Sequence, residues 1–206
     1  MNDEIIIVDY DCGNTGSVIN MLKFLGKKSK LSSNPEDLYR AKWIILPGVG
    51  KFDSAITSLN NRGLSEALLC VASRKKTPIM GICLGMQVMC KSSEEGLLDG
   101  LGLIEAEVKK FPMNFDTTMK VPHMGWNSVR IKNQGSIFSG LKDPRFYFIH
   151  SFYVDCFQKD DVIGETEYGL RFVSAFQKDN LVGVQFHPEK SHSYGVEVFR
   201  NFLGML

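Results

Sequence analysis

The stretch GICLGMQVM, residues 81–89, sets a cysteine between two glycines where an apolar run gives way to helix-like sequence. A Gly-Xaa-Cys-Xaa-Gly turn has the form of a nucleophile elbow with cysteine in place of serine. Gly81 and Gly85 carry no Cβ, so the chain can turn sharply and pack closely while Cys83 is held strained and exposed. A helix opening just beyond it would point backbone N–H groups and the positive end of its dipole at the sulfur and favour the thiolate. A single cysteine is more often a structural core residue, and it is the glycine frame that sets Cys83 apart.

A thiolate nucleophile needs a base, and the base needs a group to orient it. Of the four histidines, His123, His150, His187 and His192, the one at the end of the apolar run VGVQF is His187, followed by Pro188 and Glu189. A carboxylate two residues on can reach back to the other ring nitrogen and fix its tautomer. His-Pro-Glu alone could be a turn; beside a cysteine elbow it points to a Cys83–His187–Glu189 triad. Acyl transfer also calls for N–H groups aimed at a developing oxyanion. PGVG, residues 47–50, follows an apolar run where such a loop belongs, with Val49 and Gly50 as donors and Leu84, just past the cysteine, as the second side of the hole. An ordinary strand-to-helix turn is the alternative for PGVG.

The elements that must carry these residues follow from hydrophobic periodicity. IIIVDY (5–10) is a continuous apolar run leading through DCGNTGS into SVINMLKFLG, where Val18, Met21, Leu22 and Leu25 recur at helical spacing before Gly26. WIILPGVG (43–50) and the helical DSAITSLNNRGLSEALLCVAS repeat that unit, and TPIMGICLGMQVMC (77–90) is a third strand and helix. Such alternation predicts a mostly parallel sheet covered on both faces, with functional loops at the carboxyl ends of its strands. KVPHMGWNSVRI, RFYFIHSFYVDC, GLRFVSAFQKDN and LVGVQFHPEK predict shorter, partly antiparallel strands in the C-terminal half. SHSYGVEVFRNFLGML closes with a helix whose expected apolar face is Val196, Phe199, Phe202 and Leu203. The expectation is one α/β domain over residues 1–206.

Composition narrows the function classes. Lys and Arg total 24 against 23 Asp and Glu, which gives no sign of a nucleic-acid or anionic-membrane partner. No apolar window is long enough to span a bilayer, and MNDEIIIVDY is acidic where a secretion signal is basic, so a cytoplasmic protein is expected. Five cysteines without CxxC spacing argue against both a disulfide framework and a zinc site. PGVG lacks the lysine and the serine or threonine of a phosphate-binding loop, and no metal or other cofactor is expected.

Taken together, the PGVG loop, the GICLGMQ elbow and the late HPE resemble the class I, triad-type glutamine amidotransferases, over most of the chain. IVDYDCGN, PGVGKFDSA, GICLGMQVM with SSEEG behind it, VPHMGWN, YFIHSFYV and QFHPEKS are similar, within that family, to the glutaminase subunits of imidazole glycerol phosphate synthases. The resemblance implies hydrolysis of L-glutamine through a cysteinyl thioester. It also implies transfer of the ammonia to a cyclase of β/α-barrel form in a heterodimer, and activation when that partner binds its own substrate, through a reoriented peptide near Gly48, Val49 and Gly50. It implies glutamine contacts from Gly48, Gln87, Glu95, His150 and Ser151, and a partner interface over Pro122, His123, Met124, Gly125, Trp126 and Asn127. Glu95 could instead be a solvated loop charge, and Trp126 a packing residue.

Two positions depart from that pattern. Gly16 stands where a basic residue is expected, and Phe152 where tyrosine is common. Glycine there is similar to a branch of these glutaminases that feeds a sugar amidotransferase in surface polysaccharide assembly, which leaves the acceptor open. A non-catalytic module would be expected to lose a triad residue, and a stand-alone hydrolase to turn over fast without a partner.

Overall fold

A computed structural model describes residues 5–112, 120–133 and 137–205. The chain runs β1 (Ile5–Val8), α1 (Thr15–Phe24), β2 (Ser29–Ser32), α2 (Pro35–Arg40), β3 (Trp43–Gly48), α3 (Phe52–Asn61), α4 (Leu64–Cys70), β4 (Ile79–Cys83) and α5 (Leu84–Val88). It continues through β5 (Ser92–Ser93), β6 (Ala106–Lys110), β7 (His123–Ser128), β8 (Arg130–Ile131), β9 (Arg145–His150), β10 (Phe152–Cys156), β11 (Val162–Tyr168), β12 (Leu170–Lys178), β13 (Leu181–Val184) and α6 (His192–Leu203).

The main sheet has the order β2-β1-β3-β4-β13-β12-β10-β6-β5, with β11 and β8 extending from β12. Neighbours from β2 to β13 are parallel, whereas β12, β10 and β6 are antiparallel additions. β7 and β9 form a separate antiparallel ribbon. The expected mixed α/β architecture is thus the observed one. The apolar runs explain it: Ile6 and Val8 of β1 enter one core cluster with α2, α3, α4 and α5, while Ile5 and Ile7 enter the other with α1, α6 and the aromatics of β9. A strand apolar at every position needs cover on both faces.

Local signals set the helix starts. Asn14 caps α1 by accepting from the Ser17 N–H, and Asn34 caps α2, which has Pro35 at its first position. Two expectations are corrected, for the run after PGVG and for the apolar face of the last helix. The long helical run after PGVG breaks at Gly63 into α3 and α4. The helix after Cys83 is only five residues long, because N–H groups of Leu101, Gly102 and Leu103 take the carbonyls of Val88, Cys90 and Met89 and hold the chain in a turn. On α6, Val198 rather than Val196 is fully buried beside Phe199 and Phe202.

Candidate active site

β3, β4 and β13 are adjacent and parallel, so their carboxyl ends deliver three chain segments to one place: Gly48 and the loop after it, Cys83, and the run through His187. Gly48 is the register partner of Cys83. Cys83 has φ 54 and ψ −108, a backbone state that L-residues avoid and that functional turns hold in place. The elbow depends on close backbone approach. A Cβ on Gly85 would lie 1.7 Å from the Leu46 carbonyl oxygen, and one on Gly81 would lie 2.6 Å from the Gly85 oxygen. With α5 so short, the anticipated dipole shrinks to the N–H groups of one turn, of which Leu84 supplies the first.

Past β13 the chain enters a short 3-10 turn, Pro188–Lys190, in which Glu189 folds back on His187. Oε1 of Glu189 is 2.7 Å from Nδ1 of His187, with the two side chains 3% and 2% exposed. The histidine backbone is fixed as well: its N–H donates to the Tyr147 oxygen at 2.9 Å, and its carbonyl accepts from Ser191 Oγ at 2.7 Å. Burial disfavours a charged ring. Against it, the hydrogen bonds and negative charge of Cys83 and Glu189 prevail and lift the His187 pKa to about 10. Nε2 of His187 is buried and not aligned in a hydrogen bond of good geometry, which leaves it as the ring atom on the cysteine side.

Cys83 lines a cavity of about 350 Å3, within the usual size for a small-molecule site, together with Val49, Gly50, Leu84, Gln87, Glu95, Pro122, Ile149, His150, Ser151 and Phe152. Glu95 accepts from the Phe52 N–H at 3.0 Å through Oε2, and its burial raises its pKa while that hydrogen bond lowers it. Asp53 shapes the same loop by accepting from the N–H groups of Leu97 and Leu98. Gln87 spends its amide N–H groups inside the protein, on the Phe152 carbonyl and on Gln185 Oε1, each at 3.1 Å. Gly48 is buried and does not line this cavity. Beside it, Tyr10 Oη donates to the Pro47 carbonyl at 2.6 Å. A larger cavity of about 750 Å3 between α1 and α6 includes Glu189 but not Cys83.

The PHMGWN segment splits between surface and core. Pro122, Met124 and Trp126 face outward, and Trp126 lies flat on His192, ring centroids 5.3 Å apart at 3°. Gly125 and Asn127 are half-buried. His123 corrects the interface expectation. It is 2% exposed, stacked between Phe148 and Tyr168, with Nδ1 2.9 Å from His150 Nε2. Strand alternation turns it inward between two outward neighbours.

Against known proteins, residues 6–205 match the family model described as glutamine amidotransferase class-I. The chain belongs to the class I glutamine amidotransferase family. Similar relatives include "Imidazole glycerol phosphate synthase subunit HisH 2" of Methanococcus maripaludis, 46% identical over 97% of this chain and 98% of the relative. A protein of the same name from Pseudomonas aeruginosa is 43% identical over 98% and 100%. Among solved structures, a glutamine amidotransferase superposes with TM-score 0.76 at 18% identity, covering 97% of each chain. PurLQS from Thermotoga maritima superposes with TM-score 0.75 at 17% identity, covering 99% of each. These last two likenesses bear on the fold alone.

As a class I glutamine amidotransferase, the chain carries one buried polar residue at its centre that motif reading passes over. Gln185 is fully buried, and its Nε2 donates to Cys83 Sγ at 3.6 Å. The signal was present: a lone amide in the apolar run LVGVQF has no place in a core unless something needs it. Tyr10 and the His123–His150 pair were also passed over as structure, because pairing across strands is not written in local spacing. Among the described residues no helix is long and apolar enough to cross a membrane.

Proposed function

We propose that this chain is the glutaminase subunit of an imidazole glycerol phosphate synthase, hydrolysing L-glutamine and passing ammonia to a cyclase partner in histidine biosynthesis. The observation that carries the chemistry is the buried His187–Glu189 pair beside a cysteine in a strained elbow. The choice of synthase rests on the relatives, similar over essentially the whole chain.

In this reading the Cys83 thiol has already given its proton to His187, whose pKa of about 10 keeps it on the ring, and the thiolate Sγ attacks the side-chain carbonyl of glutamine. The tetrahedral oxyanion is held by N–H groups of Leu84 and of the Val49–Gly50 loop. His187 returns the proton to the leaving nitrogen, ammonia departs, and a thioester remains. Water then attacks, His187 taking its proton and giving it back to sulfur as glutamate leaves. Glu189 holds the ring and offsets the imidazolium charge. Because both N–H groups of Gln87 are committed inside the protein, its oxygen is what it can offer a ligand. With Glu95, that makes an acceptor pair suited to the α-ammonium group. Ser151 and the backbone at His150 serve the carboxylate end, with Gly48 shaping the wall behind.

The partner is a cyclase of barrel form docking on Pro122, Met124, Gly125, Trp126 and Asn127. Its binding reorients a peptide between Gly48 and Gly50 and completes the oxyanion hole. The test is glutamate release by the chain alone and with the cyclase plus its substrate, with Cys83→Ala as control. Strong activation that disappears in the variant supports the reading; activity surviving Cys83→Ala overturns it.

A second acceptor is favoured by Gly16. Its α-carbon faces open space: a Cβ there would meet nothing nearer than Asn14 Oδ1 at 3.9 Å, so packing does not demand glycine. The same chemistry would then feed a sugar amidotransferase, and the exchange of one acceptor enzyme for the other in the same assay separates the two.

A further inference from the structure

Two chains of hydrogen bonds meet at the Phe152 carbonyl, and one of them ends on the nucleophile. This carbonyl can only accept. His150 Nδ1, 2.8 Å away, therefore carries a hydrogen, and Gln87, 3.1 Å away, must present nitrogen rather than oxygen. The other hydrogen of Gln87 Nε2 goes to Gln185 at 3.1 Å, so Gln185 turns its oxygen to Gln87. That leaves the Gln185 NH2 group for Cys83 Sγ at 3.6 Å. On the other branch, His150 Nε2 has no proton and accepts from His123 Nδ1 at 2.9 Å, and Asn127 donates to His123 Nε2 at 3.2 Å. Every polar orientation is thus dictated by one backbone oxygen.

We infer that Gln185 is a donor to the sulfur of Cys83, locked in that orientation by Gln87 and the Phe152 carbonyl, and that it stabilises the thiolate and holds it in line for attack. The inference rests on Cys83 being the nucleophile. Besides His187, the sulfur has two polar neighbours of opposite character: the Ile149 carbonyl at 3.8 Å, which suits a thiol that donates, and the Gln185 N–H, which suits a thiolate that accepts. Loss of the proton to His187 weakens the first contact and strengthens the second, because hydrogen bonds to a charged partner are the stronger ones. Gln185 has no exposed surface, so water cannot replace it as donor. A carboxamide in the core is costly unless each end is satisfied, and here both ends are: oxygen on Gln87, nitrogen on sulfur.

The test reads the thiol and turnover separately. Alkylation of Cys83 by iodoacetamide is followed by mass spectrometry across pH, in the wild type and in Gln185→Met, which keeps length but has no donor. The expected result is an alkylation midpoint about one pH unit higher, hence about tenfold slower alkylation at a fixed pH below the midpoint, with the high-pH plateau unchanged. Glutamine turnover should fall by about the same factor in kcat with little change in KM. Gln185→Glu, which keeps the acceptor for Gln87 and sets an acidic oxygen beside sulfur, should move the midpoint further in the same direction. In the unaltered chain, the Gln185 side-chain amide resonance should shift with the alkylation midpoint, a measurement that needs no variant to fold. Midpoints that do not move, or an amide resonance that ignores the titration, overturn the inference. If Cys83→Ala still releases glutamate, the nucleophile assignment has failed instead, and the two failures are distinguishable.

Discussion

Glu189 Oε1 sits 2.7 Å from His187 Nδ1, inside a shell that leaves neither side chain more than 3% exposed. Removing the carboxylate charge at constant shape, Glu189→Gln, should reduce glutamate release by about 10^3-fold, since the ring loses both its tautomer lock and its counter-charge. The contact with Cys83 and this one together have a signature in folding. The His187 pKa is raised from about 6.5 to about 10, so the stability it contributes is fully present below pH 6.5 and is lost as pH rises through 10. Urea unfolding between pH 7 and 10 should show a falling midpoint in the wild type and a flatter profile in Glu189→Gln.

The opposite dependence comes from the neighbouring pair. Burial lowers His123 to about 4 and His150, which also feels His123 and His187, to about 3. Both are neutral in the fold and take up protons on unfolding, so acid should destabilise the protein from about pH 6.5 downward, by up to about tenfold in the unfolding constant per pH unit for each histidine. His123→Gln removes one of the two and should roughly halve that slope between pH 6.5 and 5, read by denaturant titration. A slope equal to the wild type would show that the pair does not titrate as described.

Glu95→Gln separates binding from chemistry. The loop geometry survives, because an amide oxygen can still accept from Phe52, but the negative charge is gone. KM for glutamine should rise about 10- to 100-fold with kcat changed far less, measured by steady-state glutamate release. An effect confined to kcat would remove Glu95 from the ammonium site.

Gly85→Ala tests the elbow as architecture. A methyl group 1.7 Å from the Leu46 oxygen cannot be relieved by a side-chain rotation, since the obstacle is the backbone of β3. The variant should unfold well below the wild type, losing about 3 kcal/mol or more by denaturant titration. Gly16→Ala, with nothing in its way, should be neutral or slightly stabilising on the same scale.

The sequence was most readable where one residue type answers one local demand. Cys83 between Gly81 and Gly85, and His187 two residues before Glu189, could be picked out because each pairing lies within a few positions, and the apolar runs of β1, β3 and β4 announced their burial on both faces. What stayed hidden depends on distant partners. His123 looked like a surface residue of an interface motif until β9 placed His150 opposite it. Gln185 gained its meaning only from Cys83, 102 positions away. The end of the helix after the elbow was not legible either, because it is the returning loop 100–104 that closes it.

The Tyr10 phenol on the Pro47 carbonyl has a mechanical consequence for the segment that follows. Pro47 is also in register with Ile82, so the loop is pinned at its root on two sides. Gly48 is paired as well, in register with Cys83, so a swivel of a peptide plane toward the sulfur that leaves every strand pair closed must lie in the exposed Val49–Gly50 segment beyond it. In the proposed activation, one N–H group thus changes its aim while the sheet beneath it stands still, as a weathervane turns on a fixed mast.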